Sequence, residues 1–289
     1  MNFNQLNYFK TVCEAGSVSG AAEILHISQP SLSLAIKELE SEFGVELFKR
    51  RYRGMTLTEE GEQLYRLTKG LLSHTDDVVR FMNELGGKGR VLRLGVPPMI
   101  GSITLPKICG DYVKSNPNVK LDLTEAGTSE LVKLLCDDRL DMALIPHDKP
   151  LELKFESVKV AEYEIVCLSS SNSPLGNLSK VSPKDLKGIP LVTFKQGFFQ
   201  TERIMEWFKN AGVTPEILIK TDQLSTLVNL IKSGVASGFA FRELVTENSN
   251  LTAVQTDCGM PVTVSLVWKS GARLLESMKN FLRYVKNLL

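Results

Sequence analysis

The chain has 289 residues, enough to bury a sizeable core and, at roughly 100 to 200 residues per domain, to form about two domains. Its 43% hydrophobic and 23% charged residues are those of an ordinary globular protein, and no apolar run approaches the roughly 18 residues of a membrane span. The net charge of +1 excludes nucleic-acid binding through bulk charge, so any such signal must be local.

The first segment, MNFNQLNYFK, lacks the basic-then-apolar plan of a signal peptide, and the expected location is the cytoplasm. Five cysteines (Cys13, Cys109, Cys136, Cys167, Cys258) are scattered, odd in number and never in a C-x-x-C pair. This argues against a disulfide framework or a structural zinc and leaves them as reduced thiols, mostly buried.

QLNYFKTVCEAG places Leu6, Phe9, Val12 and Cys13 on one helical face, with Gly16 as the stop. A second helix follows from about Val18 to Leu25, capped by Ser17 and ending near His26. The next stretch, SQPSLSLAIKELE, carries a proline inside a helical pattern. In a helix interior that residue costs about 3 kcal/mol. Pro30 must therefore open a new helix, with Ser28 as its cap, after a connector of three or four residues. This is the helix-turn-helix layout, whose second helix lies in the major groove. The three helices share a core of Leu6, Phe9, Ala21, Leu25, Leu32, Ile36 and Leu39, which a plain helical bundle could also have.

FGVELFKRRYRGMTLTEEG decides between the two. It reads as a helix ending at Gly44, an apolar stretch Val45 to Phe48, the basic cluster, a turn at Gly54 and an extended piece Met55 to Leu57. The first ninety residues hold 11 Lys plus Arg against 12 Asp plus Glu, yet KRRYR packs four cations into five positions. A hairpin wing beside a helix-turn-helix can lay Arg50, Arg51 and Arg53 along phosphates or into the minor groove.

The run from Leu6 to Gly61, LNYFKTVCEAGSVSGAAEILHISQPSLSLAIKELESEFGVELFKRRYRGMTLTEEG, resembles the N-terminal domain of the LysR-type transcriptional regulators. In plan the resemblance covers the whole chain. It implies a winged helix-turn-helix, a long linker helix and a two-lobed effector domain shaped like a periplasmic solute-binding protein, assembled as a homodimer and commonly a tetramer. The family pattern of serine, glutamine and proline followed by a small residue, an apolar residue and a serine falls on Ser28, Gln29, Pro30, Ser31, Leu32 and Ser33. Where many members then carry two polar or basic residues, this chain has Leu34 and Ala35. Base reading in double-stranded DNA is therefore expected from Gln29, Ser31, Ser33 and Lys37.

From its cap Thr58 the linker helix runs to Leu85 without proline, with Leu64, Leu71, Val78 and Leu85 seven residues apart and Leu67, His74 and Phe81 between them. A stripe this long needs a partner, and the same helix of a second subunit is the natural one. His74 on the seam is a tolerated packing histidine or, less simply, a pH sensor. GGKG, Gly86 to Gly89, breaks the helix and precedes a strand, so it is a hinge and no phosphate loop. The expected domains are 1–57, 58–90 and 91–289.

From Val91, short apolar strands alternate with helices: VLRLGV, VKLDLTEA, DMALIP, EIVCLSS, PLVTF, EILIKTD, SGFAF and VTVSLVW. This is an α/β pattern of largely parallel strands. The chain is expected to cross between lobes near Tyr163 and return near Val262, giving lobe I as 91–163 and 262–289 and lobe II as 164–261. Ligands in such folds bind beyond the carboxyl ends of strands, where helix N-termini offer free N–H groups. That rule selects Ser102 and Thr104 ahead of a helix, Thr128 at the start of the next, His147 at a strand end, and Phe199, Gln200 and Thr201 opening a helix of the other lobe. With no dense arginine cluster to suggest a polyphosphate, the expected effector is a small organic acid, and a neutral or aromatic metabolite is the runner-up.

Catalysis finds little support. There is no H-E-x-x-H, G-x-S-x-G or Walker pattern, and only three histidines, His26, His74 and His147. No metal or cofactor is expected. An enzyme fused to a DNA-binding domain is the second reading. A structural nucleoid protein would not need a pocket-forming domain. The resemblance also brings in members that sense peroxide through two cysteines close in sequence within lobe II, whereas here that lobe holds only Cys167 and Cys258, far apart along the chain.

Overall fold

A computed structural model of the protein describes residues 1–51, 54–86, 90–246, 250–272 and 274–288. The chain forms two compact units, 1–86 and 87–289. Among the described residues no helix is long and apolar enough to cross a membrane.

The first unit is built by its caps. Helix α1 (Phe3–Ala15) starts on a capping box between Asn2 and Gln5 and stops at Gly16, which takes the left-handed φ of 65° that glycine tolerates best. In α2 (Val18–Leu25) the Ser17 hydroxyl accepts from the Gly20 N–H, and His26 closes the helix at φ 54°. Three residues later α3 (Gln29–Phe43) begins, with Ser28 accepting from the Ser31 N–H and Pro30 in the first turn. Leu6, Phe9, Val12, Ala21, Leu32, Ile36 and Leu39 are buried, whereas Leu25 is half-buried at the edge of the cluster.

Strands β1 (Phe48–Arg51) and β2 (Gly54–Leu57) form the antiparallel wing. The basic cluster enters β1 itself, and Gly54 pairs with Arg51 on the ladder, where a turn had been expected. The cause lies at the foot of the hairpin. Leu47 and Phe48 are buried, the Phe9 and Phe48 rings lie 5.4 Å apart, and the Met55 N–H donates to the Gly16 carbonyl at 3.3 Å. These anchors draw the cations after Phe48 into a regular strand.

Helix α4 (Glu59–Leu85) follows, with the Thr58 hydroxyl accepting from the Gly61 N–H at 2.9 Å and donating to the Glu46 carbonyl at 2.7 Å. Gly61 occupies the place where a capping box would carry Glu or Gln. The reason is steric, because a Cβ there would lie 2.2 Å from the Leu47 carbonyl oxygen. The helix ends at Leu85, and of the GGKG hinge Gly87, Lys88 and Gly89 lie outside the described residues.

In the second unit, β3 (Arg90–Val96), β4 (Val119–Glu125) and β5 (Met142–His147) are parallel and alternate with α5 (Pro98–Ile103), α6 (Leu105–Ser115) and α7 (Thr128–Cys136). Next come β6 (Phe155–Ser170), β7 (Lys180–Val181), β8 (Pro190–Phe194), α8 (Phe199–Asn210), β9 (Glu216–Thr221), α9 (Leu224–Lys232), β10 (Ser237–Phe241), α10 (Glu243–Thr246), β11 (Leu251–Thr256), β12 (Pro261–Lys269) and α11 (Glu276–Leu288). The strand order is β4-β3-β5-β12-β6-β10-β8-β9, with β11 and β7 off that path.

Strand β6 joins the two lobes. Its first part, Phe155 to Glu164, pairs antiparallel with β12, and its second, from Ile165, pairs with β10 and β11. Sequence reading began this strand only at Glu164, because FESVKVAEY alternates exposed polar residues with apolar ones and is not a continuous apolar run. The short strands β7 and β11 and the helix α5 were likewise not expected.

The close approach at Gly61 makes a direct test. Gly61→Ala should lower stability in urea or thermal denaturation by about 1 to 3 kcal/mol, as overpacking does. Gly70→Ala, on the same helix with nothing within 4 Å of its Cβ position, should be neutral or stabilise by up to about 1 kcal/mol.

Candidate DNA interface and effector cleft

On α3 the residues Leu32, Ile36 and Leu39 face the core, and Pro30, Leu34 and Lys37, spaced by four and three, face out. The first turn carries no acidic side chain, so its partial positive charge stays open to phosphate. The hydroxyls of Ser28 and Ser31 lie 2.7 Å apart and satisfy one another, which makes these two residues parts of the cap first. Gln29 sits beside them, its Oε1 3.4 Å from the Ser19 hydroxyl, and Ser33 is half-buried on the flank. Arg50 and Arg51 stand on β1 next to exposed Lys49; their side chains, like the whole of Arg53, lie outside the described residues.

The outer face of α4 is apolar and bare. Leu67 is 73% exposed and Val78 60%, with Leu71, Val79 and Met82 also exposed. Leu64 departs from the expected seam: it is partly buried and packs with Tyr65 against the core of its own unit. The side chain of Leu85 lies outside the described ones.

Within the second unit a cavity of about 590 Å³ opens between the lobes. Gly101 and Ser102 of α5 and Glu125 at the end of β4 form one wall, and Asp222, Gln223, Ser225 and Asn229 at the start of α9 form the other. Ser102 is in this wall but not at a helix N-terminus, as had been expected. Pro98 starts α5 one turn earlier, so the Ser102 hydroxyl donates back to the Met99 carbonyl at 3.0 Å. Asp222 pairs with Lys195 at 2.5 Å, and that hydrogen bond holds its carboxyl below the usual range.

Three of the expected ligand groups are occupied internally. Thr104 is 2% exposed, with its hydroxyl 2.8 Å from that of Tyr163. His147 has both ring nitrogens committed: Nδ1 donates to the Lys149 carbonyl at 2.9 Å, and Nε2 lies 2.9 Å from the Ser265 hydroxyl, which can donate to it. Thr201 donates to the Phe194 carbonyl at 3.1 Å and so fastens α8 to β8.

The remaining groups gather where the lobes touch. A Cβ on Gly127 would lie 2.8 Å from the Gly197 carbonyl oxygen, and that oxygen accepts the Ser129 N–H at 3.0 Å. Helices α7 and α8 begin on either side of this contact, and neither has a side-chain cap. The buried Thr128 hydroxyl and the Oε1 of Gln200, a residue 2% exposed, have no hydrogen-bond partner. Half-buried Phe199 is the first residue of α8, after Phe198, which stacks on Phe194 at 4.8 Å. Across the same divide Arg203 of α8 pairs with Asp148, just past β5, at 2.6 Å.

Sequence reading passed over Glu125, Asp222 and Asn229, although Glu125 ends β4 and Asp222 directly follows β9. Applied to every strand, the rule that selected His147 would have found the first two.

The thiols also differ from expectation. Cys167 alone is fully buried; Cys13, Cys109 and Cys136 are half-buried, and Cys258 is exposed. Burial pushes the thiols of Cys13 and Cys167 up to about 12 and that of Cys109 to about 11, which suppresses their nucleophilic thiolates.

Two family models divide the chain as the two kinds of site do. The one described as bacterial regulatory helix-turn-helix protein, lysR family, matches residues 3–62, and the LysR substrate binding domain matches residues 85–289. The chain belongs to the LysR family. It is a DNA-binding transcriptional regulator with an effector-binding domain, in a family of regulators and not of enzymes. It is 28% identical to the HTH-type transcriptional regulator CzcR of Bacillus anthracis over 99% of this chain and 97% of that one. The LysR-family regulator CbnR shares its fold at a TM-score of 0.70 and 21% identity, over 100% of this chain and 99% of CbnR, and CbnR has also been solved with its target DNA. The effector-binding domain of QuiR, solved with shikimate, matches 68% of this LysR-type chain and 95% of its own at a TM-score of 0.60 and 15% identity.

The Arg203 to Asp148 pair can be tested as a bridge between lobes of the effector domain. Arg203→Met and Asp148→Asn should each lower the melting temperature. The double variant should lose less than the sum, leaving a coupling of about 1 kcal/mol in a double-mutant cycle.

Proposed function

We propose that this LysR-type regulator acts in the cytoplasm as a homodimer, paired further into a tetramer, and adjusts promoter occupancy when a small organic acid enters the cleft between its lobes. The observation that carries the reading is the pair of uncapped helix N-termini, α7 and α8, meeting beside a buried hydroxyl and a buried amide oxygen that lack partners. Such N-termini favour a carboxylate, and Thr128 can donate to it. The Gln200 oxygen, and the carboxylates of Glu125 and Asp222 in the cavity between the lobes, call for a donor elsewhere on the ligand, a hydroxyl or an ammonium group. Shikimate, with which the effector-binding domain of QuiR was solved, is a hydroxy acid. The chemistry requires neither a metal nor a cofactor, and the buried thiols of Cys13, Cys109 and Cys167, pushed up by burial, are poor sites for oxidation by peroxide.

A panel of hydroxy acids and amino acids, measured by thermal shift on the full-length protein, tests this. At a hundred times its dissociation constant a ligand stabilises by about 2.7 kcal/mol. At least one acid should raise the melting temperature, its amide should not, and Thr128→Val should remove the shift while operator binding persists. Stabilisation by the amides as strongly as by the acids would remove the carboxylate from the reading.

Dimerisation through α4 rests on its bare apolar face. Leu71→Glu and Val78→Glu should dissociate the oligomer in sedimentation velocity and abolish operator binding, because two half-sites must be held at a fixed spacing. Variants that keep the parent's mass would place the seam elsewhere.

A further inference from the structure

A single exposed leucine is ordinary on a protein surface. Leu34 is not ordinary in its position. It is 59% exposed, opposite Leu32, Ile36 and Leu39, in the second turn of α3. Residues near the start of a recognition helix are the ones that reach base edges in the major groove. Its neighbours on that outward face are Pro30 and Lys37. The acid nearest to it, Glu38, is turned back onto its own fold, accepting from the Gln5 amide at 3.2 Å. The surface around Leu34 therefore presents an aliphatic side chain between a proline ring and a cation, with the Glu38 carboxylate engaged by Gln5.

A leucine in the major groove can donate and accept nothing. Three of the four bases offer only hydrogen-bonding atoms there, and over those a leucine strips water without replacing it. Thymine alone offers a methyl group. We propose that Leu34 is a specificity-determining residue that selects thymine at one position of each half-site by packing on its 5-methyl group. The proposal rests on α3 being the groove helix, with Gln29 reading a neighbouring base by hydrogen bonds.

The test uses the full-length protein and an operator selected by it from random duplex. Each thymine of that operator is replaced in turn by uracil, which removes the methyl group and nothing else. One thymine in each half-site should then bind about threefold to fivefold more weakly, the loss expected for one buried methyl-sized group. Leu34→Ala should bind the thymine and uracil forms of that position equally, and Leu34→Met, which restores an aliphatic contact, should regain the preference. Gln29→Ala should keep the methyl effect while losing discrimination at another base. An operator without thymine in its half-sites, indifference of the parent protein to every uracil, or an unchanged methyl effect in Leu34→Ala would each overturn the proposal. If Gln29→Ala also left operator discrimination intact, the docking of α3 itself would be what failed.

Discussion

A proline has no N–H to donate and cannot stand beyond the first turn of a helix without breaking it. At position 30 that constraint ends one helix and starts another, and the DNA-binding unit is arranged around the break. Ser28 must then be a cap, His26 must close the helix before it in a left-handed conformation, and the three-residue connector between them sets α3 across α2. Once α3 is fixed, Leu32, Ile36 and Leu39 point to the core, and the opposite face, with Pro30, Leu34 and Lys37, is left exposed. The wing inherits its place from the same core, since Phe48 packs on Phe9 and the Leu47 carbonyl accepts the Thr58 N–H.

In the effector unit the corresponding constraint is the pairing of β6. The one strand contributes to both lobes, so the cleft between them is bounded by a shared ladder and not by a flexible linker. Polar contacts help to close it: Ser129 donates to the Gly197 carbonyl and Arg203 pairs with Asp148. Such contacts can be exchanged for water when the lobes shift, which suits a site that must respond to a ligand.

Local features of the fold were legible in the sequence. Ser17, Ser28 and Thr58 as caps, Gly16 and Gly44 as stops, and the long stripe of α4 each depend on residues within a few positions, and each needs only the chemistry of a helix end or face. Features that depend on distant partners were not. Thr104 looks like a pocket hydroxyl until Tyr163 is placed beside it, and His147 like a ligand until Ser265 and the Lys149 carbonyl occupy both nitrogens. Leu64 shares the spacing of the exposed stripe, and only the wing core behind it reveals that it faces inward. The reading placed Ser102 just ahead of a helix, but Pro98, well suited to a first helical turn, starts α5 earlier and puts Ser102 on the helix flank.

The continuity of β6 also bears on how the effector unit holds together in time. A strand whose two halves are hydrogen-bonded into different lobes cannot lose one set of partners without loosening the other. Hydrogen exchange should therefore find its paired amides among the slower ones of the unit. The lobes are accordingly poor candidates for separate modules: neither could be excised, swapped or expressed alone with its sheet intact. Free energy gained where a ligand touches one lobe is shared through the backbone with the other.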